Sequence, residues 1–180
     1  MGDLLGSLKK AAAALRDADV PFAVGGGFAC WARGGPEDTH DVDLLLRPQD
    51  VERALEAVAA AGLRTERPPE GWLVKGWDGD NLVDLIYAPA GGEVDDALLA
   101  RAEELSVDGM PMPVARADDV VTSKLLAASE HDLGFESLLE MSRALREQID
   151  WDAVAARTAG SPYARAFLFL VGELGVAPSR

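Results

Sequence analysis

The chain has 180 residues, 48% of them hydrophobic and 27% charged, which is enough apolar material for one packed core, with or without a helical appendage, and too much for a disordered chain. Its formal charge of −14 repels phosphate backbones on average and argues against general DNA binding, while leaving open a nucleotide held through metal ions. The single cysteine, Cys30, excludes an intrachain disulfide and a multi-cysteine zinc site.

The opening segment, Met1-Gly2-Asp3-Leu4-Leu5, is too polar for a secretory signal. No apolar run reaches the about 20 residues of a membrane helix, so a cytoplasmic chain without a membrane span is expected. Residues 3–18 space Leu4, Leu5, Leu8, Ala11, Ala12 and Leu15 as one face of a helix. Val20 to Val24 is a short apolar run closed by Gly25-Gly26-Gly27 and reads as a buried strand. A short helix is expected over 28–33, ended by Gly34-Gly35-Pro36, and its apolar setting makes Cys30 a buried thiol. The run from Asp41 to Leu46 alternates and then fills with leucine, as a central strand does.

Residues 49–61 carry Val51, Ala54, Leu55 and Val58 on one helical face, with Pro48 before and Gly62 after. Residues 72–77 and 82–87 are extended, and the Asp78-Gly79 step between them signals a hairpin. A helix near 95–104 and a short hairpin around 107–111 follow. From Ala117 the pattern turns helical, with Asp118-Asp119 read as the cap of a helix through Ser129 and further helices near 133–147, 150–159 and 162–174. The expectation is an α+β fold: a mixed or antiparallel sheet flanked by helices over 1–115, and a C-terminal helical region over 116–180 packed on that core.

Three features carry chemistry together, although each is weak alone. Gly25-Gly26-Gly27 is a glycine turn between strand and helix, where backbone N–H groups can approach phosphate oxygens; such a triplet is also simply a turn. Asp41 and Asp43 sit two apart in an apolar strand, so both carboxylates face one side. Two like charges there repel and lose hydration unless a cation lies between them or the face is open to water. Hard oxygen ligands in this arrangement suit Mg²⁺. The alternative is that Asp41 only caps the strand entry. Asp84, between Val83 and Leu85, supplies a third acid and completes a site for two ions. Asp80, in a turn where aspartate is ordinary, is read as structural.

Gly26-Gly27, thirteen intervening residues, Asp41-Val42-Asp43-Leu44 and the later strand bearing Asp84 resemble the signature of the DNA polymerase β-like nucleotidyltransferases. The resemblance covers residues 20–87. It extends to the segment 118–127 with Lys124 and to the later Asp132, which is similar to a helix of small bacterial members, among them antibiotic-modifying and abortive-infection or toxin–antitoxin proteins. It implies transfer of a nucleoside monophosphate from an NTP such as ATP to an acceptor hydroxyl, with release of pyrophosphate. It also implies two Mg²⁺ ions, with Mn²⁺ as an alternative, held by Asp41, Asp43 and Asp84. Gly26, Gly27 and Lys124 are then nucleotide-binding, and Asp84 is the general-base candidate. Two departures stand out: the lead-in to the acids, Glu37-Asp38-Thr39-His40, is acidic where many members carry Arg or Lys, and Ser129 and His131 replace basic residues after Lys124.

The acceptor is left open among a small molecule, a protein and an RNA hydroxyl, as are a cognate partner protein and a homodimer. The charge makes an RNA acceptor the harder case. Two further readings compete with the enzyme: a non-catalytic nucleotide-binding or interaction module on the same fold, and an acidic α+β protein with a structural Ca²⁺ or Mg²⁺ site. His40 is read as structural, facing away from Asp41 if the strand has begun there, and His131 as part of a solvated helix end. Trp72 and Trp77 are read as packing in the core or on the hairpin face in preference to stacking on a base or a flat acceptor.

Overall fold

The computed structural model describes residues 2–37 and 39–178; Met1 of the opening segment and Asp38 of the acidic lead-in lie outside them. In chain order the elements are α1 (Gly2–Asp17), β1 (Phe22–Val24), α2 (Gly26–Ala32), β2 (Val42–Leu46), α3 (Val51–Ala60), β3 (Arg64–Glu66), β4 (Leu73–Asp78), β5 (Asn81–Ile86) and α4 (Asp96–Arg101). They continue with β6 (Glu103–Val107), β7 (Met110–Val114), α5 (Ala117–Ala127), α6 (Phe135–Leu145), α7 (Trp151–Thr158) and α8 (Pro162–Glu173).

The strands form one mixed seven-stranded sheet in the order β3-β4-β5-β2-β1-β7-β6. The β1/β2, β3/β4, β4/β5 and β6/β7 pairs are antiparallel, and β1/β7 and β2/β5 are parallel. The fold is therefore α+β with a mixed sheet, as the patterning leads one to expect. Strand β3 is the element that the pattern did not reveal. All three of its residues are exposed, so it has no apolar alternation and exists by pairing with β4 at the sheet edge.

Helices α1 and α3 cover one face of the central strands. They bury the residues their periodicity marked: Leu8, Ala11, Ala12 and Leu15 from α1, and Val51, Ala54, Leu55 and Val58 from α3. Val42, Leu44 and Leu46 of β2 and Val83 and Leu85 of β5 point into that layer and are wholly buried. Because side chains alternate along a strand, Asp43 and Leu45, and Asp84 and Ile86, are turned to the other face.

Helix α5 packs on α2 from the core and on α6, α7 and α8 from the later chain. Its start differs from the sequence reading. Arg116 is the N-cap residue and makes no side-chain cap bond, while Asp118 and Asp119 lie buried in the first turn, where arginines engage them. No helix among the described residues is long and apolar enough to cross a membrane.

Candidate active site

Strand register builds the site. In the parallel β2/β5 ladder Asp43 lies opposite Asp84, and Leu45 lies opposite Ile86, so one row carries two carboxylates and the next two apolar side chains. Asp41, in the bend just before β2, is held by the Thr39 hydroxyl, which donates to the Asp41 carbonyl at 2.9 Å. Carboxylate oxygens of Asp41, Asp43 and Asp84 lie within 4.8 Å of one another. The structure thus brings together the three acids that the sequence singled out.

The electrostatic cost of that meeting is visible in their protonation. Burial, and then the charges of Asp41 and Asp84, push the Asp43 carboxyl up to about 7. Burial also raises Asp84 to about 6, against a lowering contribution from Lys75, its neighbour across the β4/β5 ladder. Among the described residues the buried Oδ1 of Asp84 meets no hydrogen-bond partner. A divalent cation fits these facts: the donors are hard oxygens, they crowd one another, and one buried oxygen lacks a partner.

Gly26 shapes the same place from the other side. Its φ of 49° lies in the left-handed region, and a Cβ there would fall into the Asp43 carboxylate, 2.7 Å from Asp43 Cγ and 3.1 Å from Asp43 Cβ. The preceding Gly25 N–H donates to the Asp43 carbonyl at 2.9 Å, which fixes the start of α2 against β2. Only glycine at 26 permits this approach of turn and acid.

Two clefts meet at Asp43 and Lys124, which line both. The larger, about 380 Å³, takes in Gly26, Leu45, Ile86, the loop 89–93 and the side of α5 bearing Thr122 and Ser123. The smaller, about 320 Å³, takes in Gly27, Cys30, His40, Asp41, Ser137 and Glu140. Gly26 and Gly27, paired in sequence, therefore serve different clefts. Lys124 is the cation that acts on Asp43, since its charge opposes the rise there. His40 lines the smaller cleft beside Asp41. The alternation argument that turned it away does not apply, because the strand begins only at Val42.

Other residues weighed in the sequence lie elsewhere. Asp132 is exposed in the turn before α6, where its carboxylate accepts from the Gly134 N–H at 3.1 Å, and the exposed His131 pairs with Glu130. Neither lines a cleft described above. Trp77 packs on the hairpin face under Arg64 and donates to Glu66, and Asp80 is exposed in the hairpin turn. The Cys30 thiol is buried and raised to about 11 by that burial, against the opposing charge of Lys124.

Sequence reasoning missed Arg101 and Arg157, which also line the larger cleft. Both reach Oδ1 of buried Asp119, Arg101 at 2.9 Å and Arg157 at 2.7 Å. The signal that pointed to them was Asp118-Asp119 itself, two acids in a segment otherwise suited to burial, which need cations from somewhere else in the chain.

No family model matches the chain, and no curated protein matches it in sequence. Solved structures do. The chain is similar to ANT(2'')-Ia in the crystal structure of its complex with adenylyl-2''-tobramycin, at 20% identity and a TM-score of 0.65, over 90% of this chain and 97% of that chain. It is similar to the solution structure of the antibiotic-resistance factor ANT(2'')-Ia, at 18% identity and a TM-score of 0.67, over 95% of this chain and 96% of that one. An antigenic nucleotidyltransferase-like protein from Paracoccidioides brasiliensis matches at 14% identity and a TM-score of 0.51, over 92% of each chain. The chain shares its fold with these three structures over nine-tenths or more of its length, its C-terminal helices included.

Proposed function

We propose that this chain is a magnesium-dependent nucleotidyltransferase that moves a nucleoside monophosphate from an NTP to an acceptor hydroxyl and releases pyrophosphate. The observation that carries this reading is the meeting of Asp41, Asp43 and Asp84 against a glycine turn and Lys124, with a buried carboxylate oxygen left unpartnered among the described residues. The fold supports it. Asp41, Asp43 and Asp84 would hold Mg²⁺, or Mn²⁺ in its place, which when bound supplies charge neutralisation and acidifies the attacking hydroxyl.

The residues of the chain do the rest. Asp84, on the strand beside Asp43, accepts the proton of the acceptor hydroxyl as its oxygen bonds to the α-phosphorus. The bond from that phosphorus to the bridging oxygen breaks, and the electron pair leaves with pyrophosphate. Lys124 offsets the charge that develops on the leaving group, and the backbone of Gly26 and Gly27 positions the phosphates. ANT(2'')-Ia was crystallised with an adenylylated aminoglycoside, and a small-molecule acceptor with ATP as donor is the corresponding reading here. The setting is a cytoplasmic one.

The test is pyrophosphate release from each of four NTPs with Mg²⁺, using wild type and Asp43→Asn in a lysate as a mixed source of acceptors. Release that depends on Asp43 supports the reading. Nucleotide binding without any release counts for a non-catalytic module, and a response to metal but to no nucleotide counts for a structural metal site.

A further inference from the structure

The larger cleft has features that metal and triphosphate chemistry do not use. Arg101, at the end of α4, and Arg157, on α7, both reach Oδ1 of Asp119, and Arg101 Nε also donates to Oδ2 at 3.4 Å. Asp119 is buried at 3% side-chain exposure, whereas the two guanidinium side chains stay 43% and 37% exposed and line the cavity. Asp118 stands 3.0 Å from Arg116 and 3.9 Å from Arg157, the looser of its two ion pairs. Asp119 thus holds both guanidinium groups at fixed angles, with N–H donors to spare. The acids on the cleft rim are Glu93 and Asp95, and Asp95 is engaged in capping α4 through the Leu98 N–H at 2.7 Å.

A second observation points into the same cavity. Thr122 lines it, is 3% exposed, and its Oγ1 has no hydrogen-bond partner among the described residues. A buried hydroxyl in that state calls for a polar group from outside. The floor around it, Leu45, Ile86, Leu98 and Leu126, is apolar.

The direction of the cleft says which substrate it serves. It runs from Asp43 along Leu45 and Ile86, the next row after Asp43 and Asp84, and so opens beside the strand that bears Asp84. The smaller cleft opens at Gly27, His40 and Asp41. Gly26 and Lys124, which position the phosphates, belong to its end at Asp43; if Asp84 takes the acceptor proton, the part beyond them, with Arg101, Arg157 and Thr122, is left for the acceptor. We propose that this part of the cleft receives the acceptor, and that the acceptor is a hydroxyl compound bearing a phosphate or carboxylate, gripped by Arg101 and Arg157 with Thr122 donating to its polar part. This rests on the nucleotidyl-transfer reading for the word acceptor; the anion grip stands on the cleft itself.

The two readings are separable in one experiment. The guanidinium Nε–H resonances of the whole chain, labelled with nitrogen-15 and assigned with Arg101→Lys and Arg157→Lys, are followed while glycerol 3-phosphate, glycerate or glycerol is added. Each titration is run with and without Mg²⁺ and α,β-methylene-ATP. Saturable shifts of both resonances are expected with glycerol 3-phosphate or glycerate, with a Kd at least about ten-fold below that for glycerol, or about 1.4 kcal/mol. They persist when the analogue is saturating, and the tighter of the two anions identifies the group preferred. Absence of these shifts, or equal binding of glycerol, overturns the proposal. So does loss of the shifts once the analogue is bound, which would assign the arginines to the nucleotide. Failure of the analogue to bind counts against nucleotidyl transfer alone, because the titrations without it still report on the grip.

Discussion

Alanine at position 26 places a methyl group where the Asp43 carboxylate lies, with Asp43 Cγ 2.7 Å from the new Cβ. Two costs follow, and they separate. The first is backbone strain, because a φ of 49° in an L-residue costs about 1–2 kcal/mol. At this chain length that lowers the Tm by roughly 2–8 °C. The second is displacement: Asp43 must swing out of its row, and the acid trio loses its geometry. Gly134 supplies the control, since its φ of 59° is similar and a Cβ there meets nothing within 4 Å. Melting by differential scanning calorimetry, in EDTA and then with Mg²⁺ near 100 times its Kd, reads both costs. In EDTA, Gly134→Ala falls by the strain alone. With Mg²⁺ the wild type and Gly134→Ala recover about 2.7 kcal/mol by mass action, and Gly26→Ala recovers little or none. Equal recovery by Gly26→Ala and Gly134→Ala would refute the claim that Gly26 exists to admit Asp43.

Metal-free stability should depend on pH with a sign set by raised carboxyls. Asp43 at about 7 and Asp84 at about 6, both above 3.8, favour the folded state while protonated, so their own contribution to stability is fully present below about pH 4 and is lost as pH rises through 6 and 7. Asp43→Asn should flatten that fall and raise the Tm in EDTA at pH 8 by roughly 3–8 °C; an unchanged or lower Tm would contradict the like-charge account. Asp119→Asn strips Arg101 and Arg157 of a buried partner and should cost about 2–4 kcal/mol in urea unfolding. Glu147→Gln, at the exposed pair with Arg146, should cost no more than about 0.5 kcal/mol. Cys30, with a thiol raised to about 11, is about one part in a thousand thiolate at pH 8, so a thiol reagent should label it only as the protein unfolds. Rapid stoichiometric labelling of the native chain would show that the thiol is accessible.

The parts of this molecule that could be read from sequence are those written in local periodicity or in a local contradiction. The faces of α1 and α3 follow from helical spacing. Asp43 and Asp84 stand out because a carboxylate in an apolar strand needs a reason. Strand β3 has no such mark, since Arg64, Thr65 and Glu66 all face solvent. Alternation cannot place His40, because β2 begins only at Val42. Asp118 and Asp119 look like a cap because their position beside a helical run is a local cue, whereas Asp118 pairs with the neighbouring Arg116 and the partners of Asp119 come from α4 and α7, elsewhere in the chain. The division of the site into two clefts depends on how α5 lies over the sheet, and no spacing within α5 encodes that.

The parallel pairing of β2 with β5 makes the acid trio a reporter of strand register. The exposed connections between those strands, such as the stretch from Pro69 to Gly71, lie outside the ladder, and their length does not set which side each acid faces. A single residue added inside β5 ahead of Asp84 does. It would turn that carboxylate into the apolar layer under α1 and bring Val83 to the place opposite Asp43. Tolerance to length variation along this chain should therefore be graded by the ladder: free in the connections, and abolished over the few residues that set which side each acid faces.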